Sequence, residues 1–123
     1  MRLDISDEAD VKRVFDTIEK QFGRLDVLVN SAGIISFEKF PDHSQAGWDK
    51  VMNVNIRGTY FCSRFAGMLM RRQQSGAIIN ISAGAAKTGG MNPSPAYIAS
   101  KGAINSLTFH FAVQLAKDHG FRG

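Results

Sequence analysis

Leu25-Asp-Val-Leu-Val-Asn30, running directly into Ser31-Ala32-Gly33, decides the fold. The run is short and nearly continuously apolar, which predicts a strand buried on both faces of a parallel sheet. Upstream, Leu3-Asp4-Ile5-Ser6 reads as the end of a strand, with Ser6 as an N-cap and Asp7, Glu8 and Asp10 in the helical turn that follows. Val11, Val14, Phe15, Ile18 and Phe22 then recur at helical spacing, and Gly23 closes that helix. Downstream, after a loop holding Pro41, Asp42 or Ser44 caps a long helix from about Trp48 to Arg72. Gly76 separates it from a second buried strand, Ala-Ile-Ile-Asn-Ile-Ser over 77–82. The stretch AGAAKTGGMNPSP reads as a loop. Its Ser94 and Pro95 form the N-cap and first turn of a final helix reaching about Asp118, with Gly120 beyond its end. Strand and helix alternate three times, which predicts an α/β, doubly wound parallel sheet in a single domain over residues 1–123.

Composition narrows the function classes. A 44% hydrophobic content belongs to a globular chain rather than a disordered one. The one cysteine, Cys62, has no internal disulfide partner, which suits a reducing cytoplasm. No apolar segment is long enough to span a bilayer, and MRLDISDEAD is acidic where a secretory signal is basic and then apolar. The net charge of +4 comes from scattered Lys and Arg, so neither a nucleic-acid nor a membrane partner is expected. No metal site is assigned. GAAKTGG (84–90) has the composition of a phosphate loop, but its lysine precedes the second glycine. A triphosphate-binding loop needs Gly-Lys-Ser/Thr at a helix start, so that activity is excluded.

Tyr97-Ile98-Ala99-Ser100-Lys101 places a phenol and an ammonium one helical turn apart on one face. Such a pair arises easily by chance, as a lysine stem lying over a helix, so its surroundings have to decide. An isolated tyrosine keeps its proton to about pH 10 and is a poor base near neutrality. A neighbouring ammonium favours the phenolate.

Four segments accompany one another: Asp26 to Gly33, Asn55-Ile56-Arg57-Gly58 in the long helix, Asn80-Ile81-Ser82 ending the next strand, and Tyr97 to Lys101. In order and approximate separation they resemble the short-chain dehydrogenase/reductase family over nearly the whole chain. The resemblance implies a Rossmann-like fold, NAD or NADP as cofactor, and a small-molecule alcohol or ketone interconverted by hydride transfer. It implies that Tyr97 is the general acid/base and that Lys101 is its electrostatic partner and the anchor for the nicotinamide ribose. Asn55 would hold a water in a proton relay. Asn53 competes for that role, though Gly58 three positions on favours Asn55. Asn30, Ala32 and Gly33 match the motif lining the adenosine side, with Ser31 in a position the family gives to asparagine. Asp4 matches the aspartate that bonds the adenine amino group, or is a carboxylate at a strand end near a helix N-terminus. The helices over 48–72 and 95–118 resemble those of the family's dimer interface, implying a homo-oligomer.

The sequence departs from the family in two places. Where the family ends its strand Asn-Ile-Ser-Ser, this chain has Ala83 in the position of the substrate-orienting serine. Ser82 is adjacent, but successive strand side chains point to opposite faces, so Ser82 is either a displaced catalytic hydroxyl or a structural one. The family's Gly-x-x-x-Gly-x-Gly turn, which cradles the pyrophosphate at a helix N-terminus, does not occur before residue 25. By resemblance the chain starts at the family's third strand and stops before the sixth, an incomplete Rossmann-type fold without the first two and the C-terminal strands. Leu25 to Asn30 would then expose an apolar edge and Leu3 to Ser6 would have no partner. Two functions follow: an NAD(P)-dependent oxidoreductase, present here as a fragment with weak or absent cofactor binding of its own, or a non-catalytic association module that binds no dinucleotide.

Overall fold

The computed structural model describes residues 1–91 and 93–119, so the expectation for Gly120 lies outside the described residues. The first helix, α1, is Glu8–Phe22. Asp7 rather than Ser6 caps it, accepting from the Ala9 N–H, and Gly23 ends it in the left-handed region at φ 70°. The Ser6 hydroxyl instead donates to Asp4 Oδ1 at 2.7 Å, which removes it from capping.

Two strands follow, β1 at Val27–Asn30 and β2 at Ala77–Asn80, each shorter than the apolar run that contains it. They pair in parallel with Val27 opposite Ala77 and Asn30 opposite Asn80. Parallel neighbours require a long crossover, and here it is helical. The crossover runs through α2, Gln45–Met52, a π-helical turn over Asn53–Gly58, and α3, Thr59–Gln73. Ser44, not Asp42, caps it, its Oγ accepting from Gly47 N–H at 3.0 Å. His43 and Trp48 meet edge to face across that cap with ring centroids 6.2 Å apart, bracing the entry of the chain into the helix.

The first strand of the sequence reading does not form: residues 3–6 are not in a strand. Leu3 and Ile5 still point inward and pack on the core, while Asp4 turns outward. This alternation imitates a strand, but the Asp4 N–H bonds to the Asp10 carboxylate at 2.7 Å instead of to a neighbouring strand. The loop before Tyr97 likewise contains a short helix, α4 at Ala85–Thr88. Its paired alanines favour a helical turn, and Gly89 at φ 85° ends it. The last helix, α5, is Pro95–His119.

The helices cover one face of the sheet. Val11 and Phe15 of α1 cluster with Cys62, Ala66, Leu69 and Met70 of α3, and Leu28 and Ile78 of the strands pack on them. On the opposite face Val27, Val29, Ile79 and Ile81 are 51%, 53%, 48% and 46% exposed. The expectation of strands buried on both faces is therefore corrected: only alternate residues are covered, because α1, α3 and α5 all contact the same side of the strands.

Candidate active site

The site is assembled where the C-terminal ends of β1 and β2 meet the start of α5. Ser94 is fully buried, and its Oγ accepts from Tyr97 N–H at 3.2 Å, so Pro95 opens the helix and Tyr97 lies in its first turn. Lys101 follows one turn later and is 7% exposed. Its Nζ sits 5.8 Å from the centroid of the Tyr97 ring. The same Nζ donates to the Ile81 carbonyl at 3.1 Å, and burial moves the ammonium below the ordinary lysine pKa.

Gly33 brings the end of β1 to this ammonium. A Cβ at Gly33 would lie 3.4 Å from both Lys101 Nζ and Asn55 Oδ1, so a side chain there would fill the space beside them. Asn55, 1% exposed on the π-helical turn, fixes the approach. Its Oδ1 accepts from Ile34 N–H at 2.8 Å, and its Nδ2 donates to the Ile34 carbonyl at 2.9 Å and to Ser100 Oγ at 3.0 Å. Ser100 in turn donates to the Tyr97 carbonyl at 2.7 Å. The widened turn directs Asn55 inward, and such turns recur at functional sites. Asn53 accepts from Arg57 at 3.3 Å on its own helix, so only Asn55 reaches α5 among the two. Gly58 lets this helix close on the N-terminal segment: a Cβ there would stand 2.5 Å from Ile5 Cδ1.

The remaining sequence-predicted residues lie elsewhere or are otherwise engaged. Ser82 Oγ donates to the Lys101 carbonyl at 3.0 Å. Asn30 Nδ2 donates to Asn80 Oδ1 at 2.8 Å and to Ser63 Oγ at 3.1 Å, and Asn80 continues to Thr108 on α5 at 2.9 Å. That amide therefore ties strands to helices on the covered face. Ala32 is exposed beside Gly33. Asp4 is exposed on the turn before α1, where hydrogen bonds from the Ser6 hydroxyl and N–H hold its carboxyl below the usual range. Sequence reasoning missed Ser100 as the link between Asn55 and Tyr97, although it stands inside the Tyr97–Lys101 segment. Among the described residues, no group of three metal-ligating side chains is close enough to hold an ion.

Paired phenol and ammonium, with a glycine leaving room at the ammonium, define a site that can transfer a proton and hold a hydroxyl-bearing ligand. Residues 1–119 match the family described as short chain dehydrogenase, and the chain belongs to that family. It is 37% identical to (+)-borneol dehydrogenase 2 of Salvia officinalis, covering 97% of this chain and 42% of that protein. It is 38% identical to the 3-oxoacyl-[acyl-carrier-protein] reductase FabG of Staphylococcus aureus strain N315, covering 94% of this chain and 47% of that protein. Among solved structures it superposes on ElxO with NADP bound at a TM-score of 0.88 and 39% identity, covering 95% of this chain and 47% of that one. The fold is thus the family's Rossmann-like α/β fold, and the chain spans about half the length of the relatives it matches. No described helix is long and apolar enough to cross a membrane.

Proposed function

We propose that this chain carries the proton-transfer half of an NAD(P)-dependent oxidoreductase acting on a small alcohol or ketone. The observation that carries the reading is the convergence of Lys101 Nζ, Gly33 and Asn55 Oδ1 next to the Tyr97 ring. Tyr97 gives or takes the proton of the substrate hydroxyl. Lys101 supplies positive charge beside it and donates to the hydroxyls of a nicotinamide ribose. Asn55 holds the turn after β1 against α5, and its place next to Lys101 suits the relay role. Ala32 and Gly33, exposed and small, line the approach of the dinucleotide, with Asn30 supporting them from below. Asp4 is assigned to the adenine end. When bound, a nicotinamide would give the hydride to a ketone or take it from an alcohol, which no side chain here can do. The cradle at Gly33 and Lys101 fits its ribose side. The glycine-rich turn for the pyrophosphate is not among the 123 residues, so binding by this chain is expected to be weak.

A second reading, an association module that binds no dinucleotide, draws on the half-exposed apolar sheet face. Tyr60, Phe111 and Leu115 between α3 and α5 fit the self-association expected of those helices. A buried, reduced Cys62 suits the cytoplasm. Titration with NADPH and NADH followed by cofactor fluorescence separates the readings. Saturable binding that Lys101→Met weakens supports the oxidoreductase; no binding at millimolar cofactor supports the module.

A further inference from the structure

Lys101 is gripped at both ends by two consecutive residues at the exit of β2. The Ile81 carbonyl accepts from its Nζ at 3.1 Å, while the Ser82 hydroxyl donates to its main-chain carbonyl at 3.0 Å. The two bonds act on different parts of one residue. The first holds the ammonium; the second fixes the helical turn from which the side chain springs. A lysine side chain has four rotatable bonds, so its tip is placed reliably only if its root is also fixed. The next residue, Ala83, has no hydroxyl to take over the second bond.

We propose that Ser82 is a positioning residue for Lys101 and does not itself touch the substrate. Its Oγ donates to the Lys101 carbonyl, which leaves the hydroxyl no proton to give a substrate carbonyl. Loss of that bond lets the turn of α5 at Lys101 shift away from β2, carrying Nζ off the Ile81 carbonyl and away from the space at Gly33. The proposal rests on the reading of Lys101 as the cofactor-anchoring cation, and its test has a readout that does not need the cofactor.

The experiment follows the Lys101 Nζ–H signal by ¹⁵N NMR in the 123-residue chain and in Ser82→Ala and Ser82→Thr, then titrates each with NADPH. A hydrogen-bonded, sheltered ammonium exchanges slowly enough to be seen. The expected result is a signal in the unsubstituted chain, its loss in Ser82→Ala and its return in Ser82→Thr. NADPH affinity should fall about tenfold in the first variant, the size of effect one lost hydrogen bond commands, and recover in the second. If Ser82→Ala does not fold by circular dichroism, Ser82→Cys, with a weaker donor of similar size, takes its place with the same expected loss. A Lys101 signal unchanged in Ser82→Ala, or a Ser82→Thr variant no better than Ser82→Ala, overturns the proposal. Signal loss in Ser82→Ala with no NADPH binding by any form would uphold the positioning role and remove the cofactor reading instead.

Discussion

At Lys101 a buried ammonium, 7% exposed, has a carbonyl and an aromatic ring beside it. Desolvation lowers its pKa from the ordinary 10.5, so in the window between the two values the unfolded chain binds more protons than the folded one. Stability from this group is therefore present above pH 10.5 and is lost as pH falls through the lowered folded value. Urea midpoints measured across that alkaline range should rise with pH more steeply in the unsubstituted chain than in Lys101→Met. Equal slopes would mean that burial does not oppose the charge. Cys62 presents the simpler case: burial pushes its thiol up to about 11, so it should resist iodoacetamide at pH 8 until urea unfolds the chain. The Tyr97–Lys101 pair was legible because helical spacing alone puts the two on one face. Asn55 was preferred to Asn53 only through Gly58 three positions on, since the π-helical turn that sends one inward leaves no pattern of its own in the residue types. Ser82 was ambiguous because strand alternation says nothing about where a side chain points once the strand has ended.

Among the elements, the π-helical turn and the N-terminal segment are fitted to each other. Gly58 accepts Ile5 against its backbone with no room for a Cβ. Gly58→Ala should destabilise the chain by about 1–3 kcal/mol through overpacking, more than the gain a glycine-to-alanine change ordinarily brings in a helix. Adding Ile5→Ala should restore part of that loss, and the coupling in a thermal-unfolding double-mutant cycle measures the contact. Additive losses would place the strain elsewhere. Both strands could be read from short β-branched apolar runs. Residues 3–6 could not be distinguished from a strand, because Leu3 and Ile5 alternate with Asp4 whether the backbone bonds go to a neighbouring strand or to the Asp10 side chain. The cap at Asp7 was displaced by one residue because Asp4 captures the Ser6 hydroxyl.

For the whole molecule, the asymmetry of the sheet dominates. A continuous apolar run looks the same whether one face is covered or two, so the sequence could not show that Val27, Val29, Ile79 and Ile81 stand half-exposed together. A patch of this kind should bind the dye 1-anilinonaphthalene-8-sulfonate, and Val29→Lys with Ile79→Lys should abolish most of the fluorescence without loss of helix by circular dichroism. Unchanged dye binding would put the exposed apolar surface elsewhere, such as between α3 and α5. The family and its fold were legible because four motifs keep their order over nearly the whole chain.

The proposed function requires Tyr97, Lys101, Asn55 and Gly33 to form the nicotinamide-ribose end of a dinucleotide site. Amide chemical-shift mapping on addition of millimolar NADPH tests it most directly. Saturable shifts centred on Gly33, Ile34, Tyr97 and Lys101, much reduced in Lys101→Met, are expected. Shifts absent from those residues, or undiminished in Lys101→Met, would contradict it.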